Sequence, residues 1–319
     1  MQLRRVAPHA PSATVGGAFD IPLTLPFRNV QARHGLLVRG PAGWGEWSPF
    51  AGYGPDVTVR WWQAAVEAAT QPWPRPRRDH VPVNAIVPAV APEHARRIVR
   101  ESGCTTAKVK VGTGDDRGRV EAVRDALGPH GRLRIDVNAA WDVETAVRHL
   151  RELARYDLEY VEQPVAELRD FAQLRTRVDV PLAADESVRL APDPLHIPGI
   201  AAADVVVLKV QPLGGVWRCL EVAEAAGRPA VVSSAVETSV GLAAGLALAA
   251  ALPDLAGACG LGTLSLLAGD VTADPLRPVG GRLRVRRPAP DLALIERWAA
   301  GPDVTERLHV RLGAARAAG

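Results

Sequence analysis

Cysteine is scarce in this 319-residue chain: there are three, Cys104, Cys219 and Cys259, widely spaced and without a CxxC pair. That pattern excludes a thiolate metal site and a disulfide framework, and predicts reduced core residues in a cytoplasmic protein. Long apolar runs are missing too. The most apolar segment, Val240 to Leu252, holds 13 residues of mostly Ala, Gly and Leu. It is too short to span a bilayer and reads as a buried helix. The opening MQLRRVAPHA lacks the apolar stretch of a signal peptide. No Gly-rich phosphate loop follows an early strand, which counts against a doubly wound nucleotide-binding sheet. Charge excess is small, at +3 with a pI near 9.0. Two arginine runs, Arg75-Arg77-Arg78 and Arg282-Arg284-Arg286-Arg287, carry no interleaved aromatics. They read as solvated surface and not as a nucleic-acid interface. The mild basic bias suits a small anionic substrate.

What is present has the composition of an ordinary globular protein, 47% hydrophobic and 23% charged. The first eighty residues hold strand-like runs at Leu3–Val6, Ile21–Arg28, His34–Arg39 and Gly43–Trp47, then a helix over Val57–Thr70. The proline-rich QPWPRPRRD closes this α+β module. From Val81 the pattern becomes a repeat. Short apolar runs, most of them β-branched, at 81–87, 106–111, 132–137, 158–162, 181–185, 204–210, 229–233 and 257–262 alternate with amphipathic helical stretches such as Pro92–Ser102 and Trp217–Ala226. Eight such units predict a (β/α)8-type barrel over 81–274 with parallel strands buried on both faces. The segment is lean beside the usual size of about 250 residues, so the Pro-rich 185–204 stretch is expected to hold only short helix. After Asp270 the rhythm stops, and a Gly280-Gly281 turn, a strand and a final helix are expected to return 275–319 to the N-terminal module of residues 1–80.

Polar residues then fall at the strand ends. Lys110, Asp136, Glu162, Asp185 and Lys209 close strands two to six at separations of 26, 26, 23 and 24 residues, one βα unit each. In a barrel, such positions lie side by side around the C-terminal mouth, where barrel active sites are built. Any one of them alone reads as a helix cap or a solvated end; five at one period do not. Three carboxylates on consecutive strands cannot all stay ionised in a semi-buried ring without a cation. Hard oxygen donors without His or Cys favour Mg²⁺, with Mn²⁺ as a substitute, over zinc. Lys108 and Lys110, two apart, project to one strand face. Close cations lower one another's pKa, and a neutral lysine can serve as a base.

The strings KVKV (108–111), RIDVNAAW (134–141), YVEQPV (160–165), LAADESV (182–188), VVVLKVQPLGG (205–215) and SSAVETSVGLAAG (233–245) resemble the muconate-lactonising subgroup of the enolase superfamily. The resemblance covers nearly the whole chain and implies that the N-terminal module, joined by the C-terminal tail, is a capping domain. GWGEWSPFAGYG (43–54) and SSAVETSVG extend it to the subgroup's dehydratases of menaquinone biosynthesis, hydro-lyases acting on a small anionic dicarboxylate. It implies conversion of 2-succinyl-6-hydroxy-2,4-cyclohexadiene-1-carboxylate to 2-succinylbenzoate through an enediolate. Asp136, Glu162 and Asp185 would hold the metal. Lys110 would remove the α-proton and return it to the departing hydroxyl, while Lys209 would stabilise the enediolate by cation–π contact. Lys108 would contact the carboxylate, and Arg134, Asn138, Ser233, Ser234 and Gly262 are candidate substrate-binding positions. Glu186 is a candidate partner of Asp185. Phe50, Gly52 and Tyr53 fall in a capping loop, and both that loop and Phe19–Asn29 read as compact.

Three other readings share these residues. A racemase of N-acylamino acids or a dipeptide epimerase would use Lys110 and Lys209 as paired bases. A non-catalytic ligand-binding barrel needs no retained lysines, and a Schiff-base lyase leaves the carboxylate ring unexplained. No oligomeric interface is legible.

Overall fold

A long hairpin opens the structure, a computed structural model that describes residues 13–27 and 30–319. Strands β1 (Thr14–Phe27) and β2 (Val30–Gly40) pair antiparallel, and β3 (Gly43–Trp47) pairs with the other edge of β2. The segment read as a compact Phe19–Asn29 loop is therefore mostly ladder, with Phe27 opposite Val30. Its register slips between Pro22 and Phe27, where prolines deny the ladder two donors. The strand expected at Leu3–Val6 lies outside the described residues. Helix α1 (Pro55–Thr70) starts with Pro in its first turn and buries Trp61, Ala64, Ala65 and Ala68. It lies directly on β3: a Cβ at Gly45 would stand 2.1 Å from the Ala65 carbonyl oxygen.

The predicted first barrel strand divides in two. Its front, β4 (His80–Pro82), leaves the barrel and pairs antiparallel with β12 (Arg282–Arg284). Its back, β5 (Ala85–Val87), begins a parallel sheet that continues through β6 (Thr106–Lys110), β7 (Arg132–Asp136), β8 (Leu158–Glu162), β9 (Leu182–Ala184), β10 (Val205–Lys209) and β11 (Ala230–Ser233). The segment expected as the eighth strand forms bridges and no ladder. Val83 pairs with Cys259 and Ser233 with Gly260, both parallel, so the curled sheet is joined across its two edges. Gly260 makes the fit possible, because a Cβ there would stand 2.4 Å from Ser233 Oγ.

Between the strands run α2 (Pro92–Ser102), α3 (Asp116–Leu127), α4 (Val143–Leu153), α5 (Leu168–Arg175), the single turns α6 (Glu186–Arg189) and α7 (Val210–Leu213), then α8 (Val216–Ala226) and α9 (Ser239–Ala251). Every residue of α9 is buried, which accounts for the apolar run there. No helix among the described residues is long and apolar enough to cross a membrane. In the tail, α10 (Leu292–Arg297) leads to α11 (Pro302–Ala317), whose Leu308, Leu312 and Ala315 cluster with Leu36, Trp47 and Trp61 of the N-terminal module.

Two carboxylates of the N-terminal module dock it onto the barrel. Glu67 of α1 accepts the Val216 N–H at 2.6 Å, at the start of α8. Glu46 of β3 accepts the N–H groups of Thr238 and Gly241, both at 3.1 Å, at the start of α9. Each satisfies donors that a helix leaves unpaired in its first turn. Burial, the largest influence, lifts both carboxyls to about 7.

Candidate active site

The parallel register carries the site. Lys110, Asp136 and Glu162 are successive Cα partners across β6, β7 and β8, and Lys209 on β10 pairs with Ser233 on β11. Asp185 follows β9 and is fully buried. Lys108 Nζ donates to Glu162 Oε2 at 2.6 Å and stands 3.2 Å from Asp136 Oδ2. Lys110 Nζ donates to Asp136 Oδ2 at 2.5 Å and to Asn138 Oδ1 at 2.6 Å. Lys209 Nζ donates to Asp185 Oδ2 at 2.6 Å, and Arg189 Nε to Asp185 Oδ1 at 3.1 Å.

These contacts revise the electrostatics expected of the lysine pair. Burial pulls the Lys108 ammonium down, but Glu162 and Asp136 overcome it and carry the pKa above the ordinary lysine value. Lys108 therefore stays charged, and no depression by a neighbouring cation governs it. Glu162 moves the other way: burial first, then the charges of Asp136 and later Asp185, raise its carboxyl. Arg189, with burial opposing, is held above its usual range by Asp185 and Glu186.

As the side chains stand, no three His, Cys, Asp or Glu residues among those described converge tightly enough to grip an ion. Each carboxylate is turned instead toward a lysine or arginine. The donor set nevertheless fits a divalent cation. Glu162 Oε1 is buried without a hydrogen-bond partner, and the repulsion that Asp136 and Asp185 exert on this buried carboxyl is one that a dication would relieve.

Lys108, Lys110, Asp136 and Lys209 line one narrow cavity, closed by Phe27 and Phe50 from the N-terminal module and by Ser233, Ser234, Val236 and Thr263 opposite. Its free volume is only ≈ 20 Å³, about the space of one water. Asn138 joins the group with a left-handed φ of +52° and donates from Nδ2 to Glu186 Oε1 at 3.2 Å. Ser234 Oγ lies 2.6 Å from Thr263 Oγ1.

Two candidates lie elsewhere. Arg134 shares the strand face of Asp136, yet its guanidinium runs toward the N-terminal end of the strands. There it donates to Glu159 and the Ala258 carbonyl and lies over Tyr160, fully buried. Face is set by alternation along the strand, but the direction of a long side chain is set by where a counter-charge lies. Gly262 is not in the cavity wall, where its neighbour Thr263 stands. A Cβ at Gly262 would come within 3.0 Å of the Asn84 carbonyl oxygen, so its smallness serves packing.

Other participants were not singled out from sequence. Arg189 donates from Nη1 to Tyr53 Oη at 2.5 Å and from Nη2 to Glu186 Oε1 at 2.6 Å, tying the Phe50–Tyr53 loop to Asp185. Gln163, at φ +42° and fully buried, accepts the Asp185 N–H at 2.9 Å. Its position directly after Glu162 was the available signal.

Residues 91–291 match the enolase C-terminal domain-like family and residues 18–69 the enolase N-terminal domain-like family. The chain is 65% identical over 277 residues to the o-succinylbenzoate synthase of Thermobifida fusca, covering 85% of this chain and 87% of that one. It is 47% identical over 287 residues to the enzyme of that name from Mycolicibacterium smegmatis, covering 88% of each. Among solved structures, muconate lactonizing enzyme from Pseudomonas fluorescens superposes with a TM-score of 0.79 at 21% identity, covering 92% of this chain and all of that one. The L-Ala-D/L-Glu epimerase from Bacillus subtilis gives 0.76 at 24% identity, covering 89% and 98%.

Proposed function

This chain belongs to the enolase superfamily, and we propose that its reaction is the dehydration of 2-succinyl-6-hydroxy-2,4-cyclohexadiene-1-carboxylate to 2-succinylbenzoate, a hydro-lyase step of menaquinone biosynthesis in the cytoplasm. The observation that carries this reading is the convergence of Lys110 and Lys209 on one cavity beside buried carboxylates, in a chain 65% identical to a relative named for it.

Membership implies a divalent cation. Asp136, Glu162 and Asp185 would hold it, Mg²⁺ or in its place Mn²⁺, and it would supply Lewis-acid stabilisation of charge gathering on the substrate carboxylate. The remaining chemistry belongs to the chain. Neutral Lys110 takes the proton from the ring carbon bearing the carboxylate, leaving an enediolate. The same ammonium then returns that proton to the hydroxyl on the adjacent carbon. The C–O bond breaks, water leaves and the ring becomes aromatic. Lys209, which donates to Asp185 at 2.6 Å, faces the developing negative charge and the ring. Lys108 stays cationic and completes the carboxylate end, with Asn138 and Glu186 steadying Lys110 and the Asp185 loop. Ser233 and Ser234 face the other end. The Phe27 ring, 5.3 Å from Lys110 Nζ, withdraws to admit the substrate. In this reading residues 1–80, with 275–319 returning to them, cap a catalytic barrel of residues 81–274.

The test is an ultraviolet assay of the cyclohexadiene substrate with and without Mg²⁺. Metal-dependent formation of the aromatic product is expected; a folded protein that leaves the diene untouched would sink the reading. Lysines on opposite strands, β6 and β10, also suit a two-base transfer at one carbon, so racemisation of N-succinylamino acids is the second reading. Deuterium incorporation at their α-carbon in D₂O separates it from dehydration alone.

A further inference from the structure

Arg33 lies on β2, a strand of the N-terminal module, yet is only 3% exposed. Its Nε donates to the Val236 carbonyl at 3.1 Å, and its Nη2 donates to the Ser48 carbonyl. The Phe50 ring centroid is 4.3 Å from Cζ, well inside cation–π range. Two of these partners, Phe50 and Val236, are walls of the cavity that Lys110 and Lys209 enter. One belongs to the N-terminal module and the other to the barrel loop after β11.

Val236 is strained. Its φ is +62°, a conformation that β-branched residues rarely adopt and that the surroundings must hold in place. Three contacts hold the turn. The Val236 N–H donates to Ser234 Oγ at 3.3 Å, the Ala235 N–H donates to Glu237 Oε2 at 2.7 Å, and Arg33 grips the Val236 carbonyl. Burial raises the Glu46 and Glu237 carboxyls, and the nearby Arg33 guanidinium pulls both back down. Strain of this kind, over-determined by a cation from another module, marks a geometry the fold enforces.

We infer that Arg33 is a positioning residue that clamps Phe50 against Val236, and so sets the shape of the cavity wall around the barrel from Asp136. The inference rests on the proposed dehydration, in which the succinyl arm of the substrate reaches that wall. Arg33 touches no reacting atom. Its loss changes how substrate and product fit and leaves proton transfer by Lys110 intact.

Arg33→Met and Arg33→Lys in the full chain test this by steady-state kinetics and by calorimetric titration with 2-succinylbenzoate. The expected result is a rise of about tenfold or more in KM and in product Kd, with kcat within about threefold of wild type. Lysine keeps the charge but not the forked geometry, so Arg33→Lys recovers thermal stability without recovering KM. It carries the test if Arg33→Met does not fold. Unchanged KM and Kd in a folded variant would overturn the clamp, as would equal losses in kcat and kcat/KM. If wild type neither turns over the diene nor binds the product, the proposed reaction fails instead. The clamp is then judged from a crystal structure of Arg33→Lys, where unmoved Phe50 and Val236 would overturn it.

Discussion

Lys209 and Asp185 stand 2.6 Å apart across the β9–β10 boundary, both under one-twentieth exposed. Removing either charge leaves the other buried with one partner fewer. Because Arg189 still bonds Asp185, Lys209→Ala is expected to fold. Both Lys209→Ala and Lys110→Ala should lower kcat by about 10³-fold or more, with native circular dichroism. Wild-type-like turnover in either variant would remove that lysine from the mechanism.

Asp185→Asn keeps the shape of the side chain and removes one hard anionic donor. Mg²⁺ affinity by calorimetry should fall at least about tenfold. For wild type, Mg²⁺ at 100 times its Kd should add about 2.7 kcal/mol of stability, seen as a raised melting temperature that EDTA reverses. Equal Mg²⁺ affinity in variant and wild type would take Asp185 out of the ligand set.

Glu67 supplies a pH dependence. Burial lifts its folded-state carboxyl from the ordinary 4.5 to about 7, even though Val216 and Trp217 N–H groups oppose the shift. A carboxyl raised on folding binds its proton more tightly in the folded state. Its stabilising contribution is present below pH 4.5 and is lost as pH climbs to 7. Urea unfolding at pH 5 and pH 8 should show Glu67→Gln losing less stability across that interval than wild type. An unchanged pH slope would mean that Glu67 titrates normally.

Tyr53→Phe deletes the hydroxyl that accepts from Arg189 Nη1 while keeping the ring against Phe50 and Trp61. A net loss of about 0.5–1.5 kcal/mol of loop ordering is expected, read as a several-fold higher KM with melting temperature within a few degrees of wild type. A kcat loss without a KM change would place Tyr53 in the chemistry and not in loop closure.

The strand-end constellation was legible because parallel pairing converts a sequence period into spatial adjacency, and the register of Lys110, Asp136 and Glu162 needs no further information. The α9 helix was legible from composition alone. Arg134 shows where such reading stops: alternation placed it on the correct face, but Glu159 and Ala258 decide where its guanidinium goes. Arg189 and Arg33 were invisible for a related reason. Their partners Tyr53 and Val236 lie 136 and 203 residues away, in another module, and no local pattern records that approach. The last barrel segment misled in detail, since Cys259 and Gly260 join their neighbours by single bridges where the period of the repeat suggested a full strand.

Glu46 and Glu67, already seated on the first turns of α9 and α8, have a consequence for what those helix ends do. In barrels of this architecture, helix N-termini at the C-terminal face commonly receive phosphate groups. Here two of those positions are filled by the protein's own carboxylates. The Val216, Thr238 and Gly241 N–H groups, which such a site would turn toward a ligand, are here turned toward the N-terminal module and hold it on the barrel.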